Sequence, residues 1–224
     1  MKPILFNTHM VQAILEGRKT CTRRVIKRTP SNDEPCGYGL WKEFNERDNT
    51  WYIKDYTHGC VWWQLDEYVK KFSKFHVGDI LYVRETWKQY EKRVGSGEQC
   101  HIAKLYGYKA DENNFNNPSE FYEGNWKPSI YMPKAAARIF LKVTNVRVER
   151  LQDITEDGIK AEGIICDKEY EEFNNAAESN CEVKFATLWD STVNKKDIDK
   201  YSWNANPWVW VVEFERCDKP DAYM

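Results

Sequence analysis

The sequence of 224 residues lacks any long hydrophobic run. No stretch approaches the roughly 18 apolar residues that a membrane-spanning helix requires, and no apolar segment resembling a secretion signal opens the chain. We therefore expect a soluble, cytoplasmic protein without a membrane partner. The chain also lacks a strong charge of either sign, since its formal net charge is −2. It is not a general binder of nucleic acid, so any such binding must come from a local basic patch.

The seven cysteines have no regular spacing and include no Cys-x-x-Cys pair. Their arrangement argues against a disulfide framework and fits a reducing compartment. It also argues against a zinc site, because the candidate ligands do not follow the usual ligand spacing. We therefore expect neither a metal nor a cofactor. The alternative, a metal held by His58 and Cys60, has only their closeness in sequence in its favour. The candidate ligands are Cys36, His58, Cys60, Cys100 and His101.

Aromatic residues, by contrast, are abundant: they make up 15% of the chain and include ten tryptophans. Most tryptophans pack in protein interiors, because they bury a large apolar area. We expect this of Trp87, Trp208 and Trp210, which lie in strand-like patterns. Four others are less constrained by pattern, and each is a candidate for stacking on a nucleobase: Trp62, Trp63, Trp126 and Trp189.

Patterns along the chain predict short strands and short helices. A strand over Pro3–Phe6 precedes an amphipathic helix that is capped by Thr8 and stopped by Gly17. A second short helix opens at Asp153 and stops at Gly163. No repeated βαβ unit separates the strands. The pattern therefore predicts an α+β fold in which a mixed β-barrel carries peripheral short helices.

A large insertion is predicted over residues 28–75, which are polar, rich in aromatic residues and broken by prolines and glycines. Within it, Trp51–Ile53 and Val61–Trp63 are typical of the two strands of a hairpin. Later in the chain, a helix is predicted over Lys168–Thr192 and a last strand over Trp208–Arg216.

The segment Gly17–Arg24 concentrates one lysine, three arginines, two threonines and a cysteine without any acidic residue. A charged segment of this kind protects the edge strand of a sheet, or it contacts phosphate groups of a nucleotide or polynucleotide. A turn at Gly17 would let Lys19 and Thr22 converge, and such a pair can polarise a carbonyl and supply or orient a nucleophile. Cys21 is expected to be a core residue.

Four blocks in a fixed order resemble the ASCH domain of the PUA-like superfamily, in the longer form found in phages and prophages. The blocks are GRKTCTRR, VGDILYVRETW, VTNVRVERLQDITEDGIKAEGI and NPWVWVVEFER. The resemblance implies a single domain over residues 1–224, with a PUA-like β-barrel and a cleft lined by the GRKT segment. The 28–75 insertion and the long 110–135 connection depart from the short members of the family.

Some short bacterial ASCH proteins are amidohydrolases that remove the acetyl group from acetylcytidine. Their working residues fall here on Lys19, Thr22 and Glu162. By analogy, Thr22 or a water that it positions attacks the acetyl carbonyl, Lys19 is the base or the oxyanion partner, and Glu162 holds Lys19 charged or orients the substrate amine. The resemblance leaves open which of the three residues takes which role.

The resemblance leaves other functions open, because fold does not determine function. Other ASCH proteins have been assigned RNA binding or ribonuclease activity, and related folds recognise modified bases. The alternatives are therefore a non-catalytic reader of RNA or modified bases, a ribonuclease, and an accessory protein with a vestigial cleft. The predicted partner is RNA, a nucleoside or a modified nucleic acid. The predicted nucleic-acid contacts are Arg18, Arg23, Arg24 and Arg84.

Overall fold

The computed structural model describes residues 1–27, 40–55, 60–96, 100–114, 125–166 and 181–220. Strands and short helices mix along these ranges in an α+β fold. The strands are β1 (Lys2–Leu5), β2 (Cys21–Val25), β3 (Leu40–Asn45), β4 (Thr50–Asp55), β5 (Val61–Gln64), β6 (Ile80–Arg84), β7 (Trp87–Val94), β8 (His101–Tyr108), β9 (Phe140–Arg150) and β10 (Trp208–Cys217). The α-helices are α1 (Thr8–Leu15), α2 (Leu65–Phe72), α3 (Glu156–Ala161), α4 (Cys181–Thr192) and α5 (Ile198–Tyr201). Short 3-10 turns lie at Lys109–Asn114, Ser129–Tyr131, Lys134–Ala136, Leu151–Asp153 and Lys195–Asp197.

In the part of the chain that the structure describes, the strands form three sheets, of which the largest has the order β1-β6-β9-β10-β2. The other two are β3-β4-β5 and the hairpin β7-β8. The mixture of helices and strands confirms the predicted α+β class. Within the described ranges none of these sheets closes into a barrel, so the predicted barrel is not confirmed. No helix in these ranges is both long and apolar enough to cross a membrane.

The chain divides into two compact units, each built from separated segments. The first consists of Met1–Lys19, Asp79–Lys142 and Glu215–Met224. In this unit β1 pairs in parallel with β6, and β6 pairs antiparallel with the start of β9. Strands β7 and β8 form a long antiparallel hairpin. A small core beside that hairpin contains the buried side chains of Trp87, Met132 and Ala136.

The second unit consists of Thr20–Gly78 and Val143–Phe214. Strand β2 pairs antiparallel with β10. Its main core joins one face of these strands to helices α3 and α4. The buried side chains of that core are Cys21, Leu151, Ile159, Phe185, Trp189, Val209 and Val211. The prediction that Cys21 is a core residue is confirmed.

The sheet β3-β4-β5 occupies the part of the predicted insertion that the structure describes beyond residue 40. The predicted hairpin is confirmed, since β4 pairs antiparallel with β5, and β3 adds a third strand. On one face Ile53 is fully buried, and Trp63 meets Phe72 of α2 edge to face at 5.5 Å. Residues 28–39 of the predicted insertion lie outside the described ranges.

The predicted helix ends agree with the structure, whereas two helix starts differ. Helix α3 begins at Glu156 with Thr155 as its N-cap, rather than at Asp153. Helix α1 is capped by Asn7, whose side chain accepts a hydrogen bond of 2.9 Å from the Met10 N–H, rather than by Thr8. Gly17 and Gly163 stop α1 and α3 in the left-handed region, with φ of 77° and 92°. The predicted helix over 168–192 is seen from residue 181, and its earlier part lies outside the described ranges.

A disulfide joins Cys166 to Cys181. It follows from packing that the sequence pattern does not reveal: Cys166 lies just after α3, Cys181 begins α4, and both cysteines pack against the same core. The remaining cysteines in the described ranges are free thiols, so the bridge does not amount to a disulfide framework.

Candidate functional site

Strand β2 presents alternate residues of the basic segment to opposite faces of its sheet. Cys21 and Arg23 share one face, and Cys21 packs into the core beside α3. Thr22 and Arg24 share the other face, opposite Val212 and Trp210 of β10. Neighbouring residues of the basic segment therefore have different environments, which its composition alone does not indicate.

The end of helix α3 is held against the start of β2. The Thr20 N–H donates to the Ala161 carbonyl over 2.9 Å, and the Thr20 carbonyl accepts from the Phe214 N–H at the same distance. Glu162 is the C-cap residue of α3 and is only 6% exposed. Its carboxylate accepts a hydrogen bond of 3.2 Å from Nη1 of Arg23. The predicted carboxylate is therefore fixed beside the basic segment.

Arg23 binds a second carboxylate as well. Its Nη2 and Nε donate to Oε1 of Glu149 over 2.6 and 2.9 Å. Glu149 also accepts from Nε of Arg147 over 3.2 Å, and Arg147 pairs in turn with Glu213. The five side chains form a line of alternating charge, which we call the ion-pair chain: Glu162, Arg23, Glu149, Arg147 and Glu213.

The ion-pair chain determines what Arg23 can do. Its side chain is 2% exposed, and its guanidinium faces two carboxylates. A phosphate could reach it only by displacing one of them. We therefore interpret Arg23 as a positioning residue for Glu162 rather than as a nucleic-acid contact.

Thr22 and Arg24 lie on the opposite face of β2. Thr22 is 3% exposed, and Arg24 is half-buried. Burial lowers the pKa of the Arg24 guanidinium, and the negative charge of Glu162 opposes that shift. Arg24 therefore contributes positive charge near Glu162, although it lies on the face of β2 opposite Arg23.

Gly158 of α3 packs directly against Arg23. A Cβ at this position would lie 3.1 Å from Nη2 of Arg23 and 3.0 Å from Cγ1 of Ile154. Replacing glycine by alanine in a helix normally stabilises it by about 1 kcal/mol, but overpacking costs about 1 to 3 kcal/mol. We expect Gly158→Ala to lower the free energy of unfolding by about 1 kcal/mol in a denaturant titration.

The neighbouring exposed position supplies the control for this variant. Asp157→Ala changes the same helix without touching Arg23 and should shift stability by less than about 0.5 kcal/mol. If Gly158→Ala instead stabilises the protein, Arg23 is free to move and the ion-pair chain is not rigid.

Three predicted site residues belong to the first unit. Lys19 is 2% exposed, its N–H donates to the Ala13 carbonyl over 3.0 Å, and its ammonium lies 5.5 Å from the ring centroid of Phe6. Arg18 donates to Glu16 over 2.7 Å at the surface. Arg84 is half-buried and donates from Nε to the Met132 carbonyl over 2.9 Å.

A second buried charged cluster, in the first unit, was not predicted. Glu85, 1% exposed, accepts from Nε and Nη2 of Arg138 over 2.9 and 3.0 Å. Asp111 accepts from the other edge of the same guanidinium over 2.6 and 3.0 Å. The guanidinium carbon lies 4.0 Å from the ring centroid of Tyr108, whose hydroxyl donates to the Ala136 carbonyl over 2.7 Å. The one sequence signal was an acidic residue inside an apolar strand pattern, at Glu85.

Burial dominates the electrostatics of this cluster. It raises the pKa of Glu85, although the hydrogen bond and charge of Arg138 pull that pKa down. It likewise raises the pKa of Tyr108 to about 12, against the opposing charge of Arg138. Arg138 therefore offsets part of the cost of burying the Glu85 carboxylate.

The remaining sequence expectations concern metals and tryptophans. Within the described ranges, no three His, Cys, Asp or Glu side chains are grouped closely enough to hold a metal, and His58 and Cys36 lie outside these ranges. Trp87, Trp208 and Trp210 are buried, as predicted. Among the four less constrained tryptophans, Trp189 is buried and donates to the Tyr201 carbonyl over 2.8 Å, whereas Trp62 is 43% exposed.

Comparisons of the chain with protein-family models, with curated proteins and with solved structures found no match.

Proposed function

We propose that this protein binds a nucleoside and hydrolyses the amide of an acylated nucleoside such as acetylcytidine. The proposal includes a relationship to the ASCH proteins, with their PUA-like barrel, and a cytoplasmic location. The resemblance of the four sequence blocks supports it, and the burial of the residues chosen from that resemblance adds physical support.

The observation that carries the proposal is that all three predicted catalytic residues are buried. Lys19, Thr22 and Glu162 are each less than a tenth exposed. Lysine and glutamate are almost never buried unless they are paired, because burying their charge is costly. Strongly buried ionisable groups are concentrated at functional sites, although structural ion pairs bury charge too. Choosing three positions by motif alone and finding all three buried favours a shared functional role.

Glu162 suits the recognition of an amino group. A carboxylate that is bound to a guanidinium accepts hydrogen bonds and donates none. Exocyclic amino groups of bases, including N4 of cytosine, donate to carboxylates in this way. Because Arg23 and the end of α3 fix the position of Glu162, its carboxylate is a preorganised acceptor for the N–H of the scissile amide.

The chemistry then requires a nucleophile and a partner for the developing oxyanion. Thr22 shares its face of β2 with Arg24, whose guanidinium is close enough to Glu162 to feel its charge. From that face Thr22 positions the attacking water, which forms a bond to the acetyl carbon. The carbon–nitrogen bond breaks, the water proton moves to the leaving amine, and the products are acetate and the free nucleoside. By analogy with the ASCH amidohydrolases, Lys19 supplies the positive charge that stabilises the oxyanion.

The test is incubation of the purified protein with acetylcytidine, with cytidine and acetate followed by chromatography. Release of both products at equal rates, above the rate with heat-unfolded protein, supports the proposal. If no cytidine forms, the proposal fails for this substrate. Salt-sensitive binding to oligonucleotides without hydrolysis would instead identify a reader, and RNA cleavage that is lost in Lys19→Ala would identify a ribonuclease.

A further inference from the structure

The outer face of the sheet β3-β4-β5 carries a cavity of about 660 Å³ that the proposed function does not use. This volume lies within the range of pockets that bind small molecules. The strands and the β3–β4 turn supply the polar and aromatic side chains that could contact a ligand in this cavity: Glu43, Glu46, Arg47, Tyr52 and Trp62.

Trp62 supplies an exposed aromatic surface in this cavity. Its neighbour Trp63 points to the other face of the sheet and packs against Phe72, whereas Trp62 is 43% exposed. Lys54, its cross-strand partner, places its ammonium 5.4 Å from the indole centroid. Such a cation–π contact holds the ring without covering it entirely. The indole is therefore available for stacking, and Tyr52 lies on the adjacent strand.

Two charged side chains of the cavity, those of Glu43 and Arg47, are exposed beside the indole. Among the described residues, the side chains of Glu43 and Arg47 make no hydrogen bond or ion pair. Glu43 lies directly opposite Tyr52 in the strand register. The turn that carries Arg47 is ordered by Asp48, which accepts from the Tyr52 hydroxyl over 2.8 Å and from the Thr50 N–H over 3.2 Å. Strand β3 and the ordered β3–β4 turn thus place the Glu43 carboxylate and the Arg47 guanidinium beside the exposed indole of Trp62.

We propose that this cavity binds a guanine nucleotide. Stacking on Trp62 holds the base, and Arg47 binds the phosphate. Guanine is favoured because N1–H and the N2 amino group are adjacent donors, which match the two oxygens of the Glu43 carboxylate. Adenine and cytosine place an acceptor nitrogen beside their amino group, and uracil flanks its single donor with two carbonyls, so each would set an acceptor against that carboxylate.

This site lies entirely in the second unit and shares no residue with Lys19, Thr22 or Glu162. Binding of a nucleotide here does not depend on the proposed hydrolysis. A protein that binds GMP without hydrolysing acetylcytidine refutes only the catalytic proposal, and the reverse result refutes only this one.

The test is isothermal titration of the full chain with GMP, AMP, CMP and UMP at low salt. We expect GMP to bind at least about tenfold more tightly than the other three, because a carboxylate discriminates strongly against a mismatched edge. Glu43→Gln should remove most of this preference. Trp62→Ala should weaken GMP binding by at least about tenfold through the loss of stacking. Arg47→Ala should weaken the binding of GMP but not that of guanosine.

Trp51→Ala is the matched control, because Trp51 is similarly exposed, at 45%, but lies on the opposite face of the same sheet. Its ring meets Phe44, which also lines the cavity, with the centroids 5.1 Å apart, so this variant should weaken GMP binding far less than Trp62→Ala does. The proposal is overturned if the wild type does not bind GMP at millimolar concentration, if the four nucleotides bind equally, or if Trp62→Ala and Trp51→Ala behave alike.

Discussion

Replacing Glu162 by glutamine is expected to slow the hydrolysis of acetylcytidine by about a thousandfold, the usual contribution of a positioned acid–base or orienting group. The glutamine keeps the shape of the side chain but loses the charge that Arg23 holds and one of the two acceptor oxygens. The measurement is kcat/KM from initial rates of cytidine release. The loss should fall mainly on kcat, because the leaving nitrogen gains positive charge as it takes up the water proton, and its N–H then donates more strongly to Glu162 than the bound amide does.

Glu213→Gln is the matched control for this substitution. Glu213 is the carboxylate at the far end of the ion-pair chain and meets Arg147 rather than Arg23. It should keep hydrolysis within about threefold of wild type, since it removes one partly exposed ion pair of small energetic value. Equal losses of activity in the two variants, with unfolding midpoints lowered equally, would mean that Glu162 acts only through stability.

Replacing Arg138 by methionine is expected to destabilise the protein by about 3 kcal/mol at neutral pH, because removing one partner leaves a buried charge uncompensated. Glu85, which is nearly inaccessible, loses both of its hydrogen bonds from Arg138, and Asp111 loses its ion pair. The methionine retains much of the apolar packing over Tyr108. The free energy of unfolding, measured by denaturant titration, would report the loss.

The loss should depend on pH in a defined direction. Burial already raises the pKa of Glu85, and removal of Arg138 raises it further, since the arginine opposes that shift. A carboxyl whose pKa is higher in the folded state binds protons more readily when folded, so its contribution to stability falls as pH rises through that pKa. The difference between wild type and Arg138→Met should therefore be smallest near pH 4 and largest near pH 8.

The double variant Glu85→Leu/Arg138→Met distinguishes lost pairing from lost packing. Replacing both members of a buried ion pair by apolar side chains is often neutral. The double variant should recover at least half of the stability that Arg138→Met loses, and its deficit should vary less with pH. A double variant as unstable as the single one would show that Arg138 acts through its packing.

Local signals in the sequence were sufficient for most elements. Gly17 and Gly163 stop helices because they adopt positive φ, and Thr155, the N-cap of α3, accepts from the Gly158 N–H within its own turn. The burial of Cys21 and the hairpin of β4 and β5 also follow from nearby residues. Each of these features is decided by physical chemistry within a few residues, which a single sequence contains.

The charged clusters could not be predicted in the same way. Arg23 meets Glu149 and Glu162 across 126 and 139 residues, and Arg138 meets Glu85 across 53. These pairs depend on strand register and on the placement of α3, which tertiary packing decides. Arg23 and Arg24 were both predicted to contact nucleic acid, yet β2 sends them to opposite faces. Whether the strands close into a barrel likewise depends on which of them form the edges of a sheet, and tertiary packing decides this too.

The ion-pair chain also bears on how β2 finds its partner during folding. Sliding β2 by one residue against β10 would turn Arg23 to the other face of the sheet. Glu149 would then lose one of its arginines, and Glu162 would lose the guanidinium that neutralises it in the interior. Apolar side chains such as those of Val209 and Val211 tolerate a misaligned neighbour far better than a buried carboxylate does. The buried charges thus destabilise the wrong register of β2 against β10. The register of this edge strand is determined by electrostatics as well as by hydrophobic contact.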